Sequence, residues 1–126
     1  MIRTNQLVVV VEDDAGMREA LRRWLLARGH RARAFDSAEA LLEAHGALDA
    51  DCLVLDVRLP GVSGTALYAR LGPDRPPAVF ITAHDSPEIR TQVARLCNGV
   101  VLPKPFLGEA LSGAIADAIR RSEKDS

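Results

Sequence analysis

The feature that most narrows the folds open to this chain of 126 residues is a set of five short strand-like runs, each followed by a helical pattern. Residues 7–11 (LVVVV) are uninterruptedly apolar and mostly β-branched, which suits a strand buried on both faces of a sheet. Residues 52–55 and 78–81 are runs of the same kind that end on Asp56 and Thr82. Residues 31–35 alternate polar and apolar, as a half-exposed strand near a sheet edge would, and residues 99–102 form a brief fifth run. Between the runs, apolar residues recur at helical spacing: Met17, Leu21, Trp24 and Leu25; Ala38, Leu41, Leu42 and His45; Leu67, Tyr68 and Leu71; Ile89, Val93, Leu96 and Cys97; Leu107, Leu111, Ala114, Ile115 and Ala118. This alternation predicts an α/β domain, a doubly wound (βα)5 sandwich around a parallel sheet. Right-handed crossovers then bring the carboxyl end of every strand to one edge.

Local signals predict where the helices stop and start. Gly29 ends the first, and either Asp13 or Asp14 caps its beginning. Asp36 with Glu39 three residues later resembles a capping box for the second, which runs to Gly46. Gly72-Pro73 stops the third, and Ser86-Pro87-Glu88 opens the fourth with a cap, a first-turn proline and an acid matched to the helix dipole. The last helix dissolves into a polar, frayed segment from Arg120 to Ser126, so that residues 119–126 read as a tail or the start of a linker on a single domain spanning 1–126.

Composition excludes several functions. No apolar run approaches the roughly 20 residues a membrane helix needs, and the first residues lack the apolar centre of a secretory signal, so a cytoplasmic location is expected. Cys52 and Cys97 form no Cys-x-x-Cys pair and sit in apolar stretches, which argues against zinc or redox chemistry. With a net charge of −1, and with the arginines at 18, 22, 23, 28, 31 and 33 not interleaved with aromatic residues, the arginines read as a solvated face and direct nucleic-acid binding is not expected. His84, in a loop after Thr82, reads as solvated, and Trp24 and Tyr68 as core.

The strand ends carry the chemistry. The first run ends on Glu12-Asp13, the third on Asp56, the fourth on Thr82, and the fifth leads to Lys104. A carboxylate ending a buried strand is often no more than the start of a turn. Several carboxylates at one edge repel one another unless a cation offsets them, and oxygen ligands in that number suit Mg²⁺. A carboxylate beside Mg²⁺, with a hydroxyl and an ammonium at hand, fits phosphoryl transfer to Asp56.

Four segments in order carry a family resemblance: Glu12-Asp13, Asp56-Val57-Arg58-Leu59-Pro60-Gly61-Val62-Ser63-Gly64, Thr82-Ala83 and Lys104-Pro105. Together they resemble the receiver domain of bacterial two-component response regulators over nearly the whole chain. The resemblance implies a flavodoxin-like sheet of order 2-1-3-4-5, Asp56 as phosphoacceptor, and Mg²⁺ held by Asp13, Asp56 and the backbone carbonyl of Arg58, with Glu12 acting through water. It implies Thr82, Ala83 and Lys104 on the phosphoryl group, a cis peptide before Pro105, and a histidine kinase or histidine phosphotransfer protein as partner. The fourth helix, fifth strand and fifth helix are the face through which it implies a homodimer. The family more often has aspartate where this chain has Glu12.

A further departure lies in the fifth strand. Receivers usually carry Phe or Tyr three residues before the lysine, a ring that turns inward on activation; here the position is Val101, and the step from Gly99 to Lys104 is two residues shorter than usual. Valine has essentially one soft torsion and no polar tip, so the aromatic readout is expected to be missing. Two competing functions differ in class. A receiver-like module that binds partners without phosphorylation would show no phosphoryl uptake, and a haloacid-dehalogenase-type phosphatase needs a second aspartate two residues after the first, where this chain has Arg58.

Overall fold

The structure, a computed structural model, describes residues 5–45, 47–97, 99–106 and 108–124, apart from the side chains of Leu48 and Lys124. Five strands, β1 (Leu7–Val11), β2 (Arg31–Phe35), β3 (Cys52–Asp56), β4 (Ala78–Thr82) and β5 (Val100–Pro103), alternate with α1 (Ala15–Ala27), α2 (Ala38–Ala44), α3 (Gly64–Arg70), α4 (Pro87–Leu96) and α5 (Gly108–Lys124). All strand pairs are parallel and the order is β2-β1-β3-β4-β5, the doubly wound flavodoxin-like arrangement expected.

Side-chain alternation along the strands divides the core in two. Val9, Val11, Leu53, Leu55, Ala78 and Phe80 face α2, α3 and α4, where they meet Leu41, Leu67, Tyr68 and Val93. Val8, Val10, Cys52, Val54, Val79 and Ile81 face α1 and α5, where they meet Leu21, Leu25, Leu111, Ala114, Ile115 and Ala118. Strands β1, β3 and β4 are therefore apolar up to the last residue of β3 and β4, Asp56 and Thr82, because both faces are covered, whereas β2, on the edge, keeps its arginines outward. Tyr68 is core as expected, packed edge-to-face on Phe80, while Trp24 is only half-buried and donates its indole N–H to Ser112 Oγ at 3.2 Å.

Helix boundaries depart from the sequence expectations in three places. Asp36 does not cap α2: Ser37 does, its hydroxyl accepting from the Ala40 amide at 3.1 Å, which lets Ala38 at the first helical position turn fully into the core. His45 does not belong to the buried stripe. It is the exposed C-cap of α2, in the left-handed conformation with φ 55°. Arg120 to Lys124, expected to belong to a frayed tail, instead continue α5. Its later turns carry Arg120, Arg121 and Asp117 one turn apart, and their ion pairs support the polar end of the helix. The expected stop at Gly46, the start at Leu107 and residues 1–4, 125 and 126 lie outside the described residues.

The remaining expected caps follow the sequence. Asp14, rather than Asp13, caps α1, its carboxylate accepting from the Met17 amide at 2.7 Å. Gly29 follows the helix with φ 85°, the positive-φ conformation glycine adopts without penalty. Ser86 caps α4 ahead of Pro87 as expected, while the cap of α3, Ser63, is one that no sequence expectation names. Among the described residues no helix is long and apolar enough to cross a membrane.

Candidate functional site

Backbone hydrogen bonds carry the strand ends into register at one edge. The Glu12 amide donates to the Phe35 carbonyl at 3.1 Å, the Val57 amide to Ile81 at 2.9 Å, and the Lys104 amide to Thr82 at 2.7 Å. These bonds extend the parallel ladder one residue past the strands, so the backbone from which the strand-end side chains project is fixed in the sheet's register. Lys104 is joined to Pro105 by a cis peptide.

Five polar side chains gather there. Glu12, Asp56 and Thr82 are buried, with Asp56 only 5% exposed and Glu12 not exposed at all, and Asp13 faces solvent beside them. Lys104 Nζ lies 2.7 Å from Glu12 Oε1 and 3.1 Å from Asp56 Oδ2, donating to both. The other Asp56 oxygen, Oδ1, accepts from the backbone N–H of Arg58 at 3.0 Å, so the turn after β3 orients the carboxylate. Thr82 Oγ1 accepts from the His84 amide at 3.0 Å, which turns the chain sharply out of β4. Ala83 and His84 are exposed on that turn, and the side chain of Arg58 is exposed as well.

One ammonium serves two buried carboxylates, and the third stands close by. Burial, and after it the hydrogen bond and charge of Asp56, push the Glu12 carboxyl up to about 7, against the pull of Lys104. Desolvation lowers the affinity of Lys104 for its proton, but the hydrogen bonds and charges of Glu12 and Asp56 outweigh it and the net shift is upward. Glu12 Oε2 is buried without a hydrogen-bond partner. A buried carboxylate oxygen left without a donor is costly in a low-dielectric site, and a cation removes the cost. Glu12, Asp13 and Asp56 each offer an oxygen, all within 4.8 Å of one another, a set of hard donors that fits a hard divalent cation.

Arginine 18 was expected on a solvated face, and the structure puts it elsewhere. It is half-buried, and its Nη1 donates to the carbonyls of Glu12 at 3.1 Å and Asp13 at 3.3 Å. The signal available in sequence was its place four residues after the Asp14 cap, since side chains near a helix start lean back toward the N-terminus.

In the fifth strand, Val101 holds the place at which the loss of the aromatic is expected. Val101 pairs with Phe80 of β4, stands half-buried against the α2–α3–α4 face of the core, and lines a groove of about 270 Å³ with Arg90, Val93 and Ala94 of α4.

Known proteins agree with this architecture. Residues 8–116 match the response regulator receiver domain family. The transcriptional regulatory protein FixJ of Bradyrhizobium diazoefficiens is 34% identical over 118 residues, covering 92% of this chain and 58% of FixJ. Nodulation protein W of the same organism is 38% identical over 125 residues, covering 96% of this chain and 54% of that protein. The crystal structure of full-length FixJ from B. japonicum superposes with a TM-score of 0.82 at 34% identity over 96% of this chain and 61% of that one. The chain thus spans little more than half the length of the curated relatives it matches. With the parallel 2-1-3-4-5 sheet, the acidic edge and a family match over most of its length, the chain belongs to the response regulator receiver domain family.

Proposed function

We propose that Asp56 accepts a phosphoryl group from the phosphohistidine of a histidine kinase or histidine phosphotransfer protein, and that the aspartyl phosphate so formed alters a partner-binding surface. The observation that carries this is the sharing of Lys104 Nζ between the buried carboxylates of Asp56 and Glu12 at the open edge of the sheet. In the transfer, an Asp56 carboxylate oxygen forms a bond to phosphorus as the bond from phosphorus to the donor imidazole nitrogen breaks, and the imidazole leaves with the electron pair. The Arg58 amide steadies the Asp56 carboxylate. Lys104, already within hydrogen-bond distance of Asp56, offsets negative charge gathering on the phosphoryl oxygens. The Thr82 hydroxyl still has a proton to donate, since its bond to His84 uses it as an acceptor, and that proton is available to a phosphoryl oxygen.

Mg²⁺ is the cation we assign to Glu12, Asp13, Asp56 and the Arg58 carbonyl, and when bound it supplies positive charge to the transferring group. The transcriptional role in FixJ's name belongs to a protein of which this match covers only 58%; for the residues here we assign no direct nucleic-acid contact.

Incubation with acetyl phosphate and MgCl2, followed by intact-mass measurement, tests the proposal. One added phosphoryl group, absent in Asp56→Asn, is expected. No added mass in the wild-type chain, or equal addition in Asp56→Asn, refutes it and leaves the phosphorylation-independent interaction module.

A further inference from the structure

We propose that Arg18 is a positioning residue for the metal-binding turn, fixing the backbone from which Glu12 and Asp13 project. This rests on the phosphoacceptor reading only in taking those carboxylates as metal ligands. Arg18 lies in the first turn and a half of α1, where its amide donates to the Asp14 carbonyl at 2.9 Å. A cation there is opposed by the positive end of the helix dipole, so the position is poor for helix stability. The other arginines of the helix have carboxylate partners, with Arg22 and Arg23 both on Glu19. Arg18 is instead turned back over the helix start, and a single nitrogen, Nη1, donates to two successive carbonyls, those of Glu12 and Asp13.

That arrangement closes the turn between β1 and α1 from outside. The Glu12 amide is tied to β2 and the Asp14 carboxylate to the Met17 amide, leaving the two carbonyls between them as the part of the turn held by neither strand nor cap. Arg18 supplies their donor. Outer groups that orient ligands in this way typically change metal affinity by about 10–100-fold when removed.

The sign of the effect separates positioning from simple electrostatics. Deleting a positive charge beside a divalent cation site strengthens cation binding by Coulomb's law, whereas loosening the ligands weakens it. The test uses the full 126-residue chain, with Mg²⁺ affinity by calorimetry and amide exchange without metal. In Arg18→Gln the dissociation constant for Mg²⁺ is expected to rise about tenfold or more, with faster exchange at the Asp13, Asp14 and Ala15 amides. Phosphoryl uptake from acetyl phosphate should fall at limiting Mg²⁺ and recover at saturating Mg²⁺. Arg23→Gln, which removes an exposed charge from the same helix, should leave both readouts as in the wild type. Arg18→Lys keeps the charge and one donor group and should give a smaller loss; it decides the matter if Arg18→Gln does not fold.

Unchanged or tighter Mg²⁺ binding in the Arg18 variants, with unchanged exchange in the turn, overturns the proposal. A wild-type chain that binds Mg²⁺ but takes no phosphoryl group removes the phosphoacceptor reading and leaves this one standing. A wild-type chain that binds no Mg²⁺ ends both.

Discussion

Gly64 and Asp56 touch through their backbones: a methyl group on Gly64 would overlap the Asp56 carbonyl oxygen and stand 2.9 Å from the carbonyl carbon. The glycine opens α3, and its amide donates to the Val57 carbonyl at 3.1 Å, so the helix start is clamped onto the end of β3. Neither obstacle is the end of a flexible side chain, and relief requires moving the strand end that carries the acceptor carboxylate. Gly64→Ala is therefore expected to cost about 3 kcal/mol and lower the melting temperature by roughly 10 °C. Phosphoryl uptake should fall even at temperatures where the variant is folded. A thermal melt paired with intact-mass analysis checks both, and wild-type values in either would show that the strand end yields at no cost.

Mg²⁺ should stabilise the fold, because only the folded chain brings Glu12, Asp13 and Asp56 within 4.8 Å of one another. By mass action the gain is about 2.7 kcal/mol at a Mg²⁺ concentration one hundred times the dissociation constant. Asp13 is exposed and its carboxylate has no hydrogen bond among those described, so Asp13→Ala should leave the metal-free stability within about 0.5 kcal/mol of wild type. The same substitution should abolish most of the Mg²⁺-dependent gain. Denaturant melts with and without MgCl2 give both quantities, and a gain that survives in Asp13→Ala would move the metal elsewhere.

Tyr68, the single tyrosine of the chain, offers a spectroscopic readout of the opposite end of the fold. Its ring is buried and its hydroxyl donates to the Pro76 carbonyl at 2.7 Å; burial pushes the phenol up to about 12, against the weaker pull of the Arg75 guanidinium stacked 4.3 Å from its centre. An unfolded tyrosine ionises near 10. Between these values the folded chain holds the proton and the unfolded chain has lost it, so stability should be unaffected by Tyr68 below about pH 10 and fall as pH rises from there toward 12. Ultraviolet titration of phenolate absorbance should show a midpoint near 12 in the folded chain. A midpoint near 10 without unfolding would mean that the ring is open to water.

Val101 should make the response to phosphorylation small along the fifth strand. With a valine facing the α4 groove there is no ring to move between an outer and an inner position, and a ligand shifts an equilibrium only by its differential affinity for the two states. Amide exchange with and without a phosphoryl mimic at Asp56 should change chiefly in the turns after β3 and β4, and little over residues 100–102 and 89–96. A large change centred on those residues would show that another side chain carries the signal.

The layered order of the fold was legible in the sequence because it depends on a periodicity that local residues impose. Runs such as 7–11 and 52–55 are apolar at every position only because helices cover both faces, and 31–35 alternates because it lies on the edge. The strand-end polar residues could be counted in sequence, since each interrupts an apolar run where the ladder ends. Their mutual geometry could not. That Lys104 divides itself between Glu12 and Asp56, that Glu12 keeps an unpartnered oxygen, and that the Gly64 backbone rests on Asp56 are contacts between residues brought together from distant parts of the chain or across a tight loop. Local pattern says nothing of such distances. The same limit explains Arg18, Ser37 and α5. An arginine on an amphipathic helix looks solvated until the carbonyls it bonds are in place, and Asp36 and Ser37 are equally good caps until the core decides that Ala38 must face inward. A polar helix end looks frayed until Asp117, Arg120 and Arg121 are stacked a turn apart. Periodicity fixes which face of an element is buried; which polar group meets which is decided only when the packed faces set the elements' rotation and height against one another.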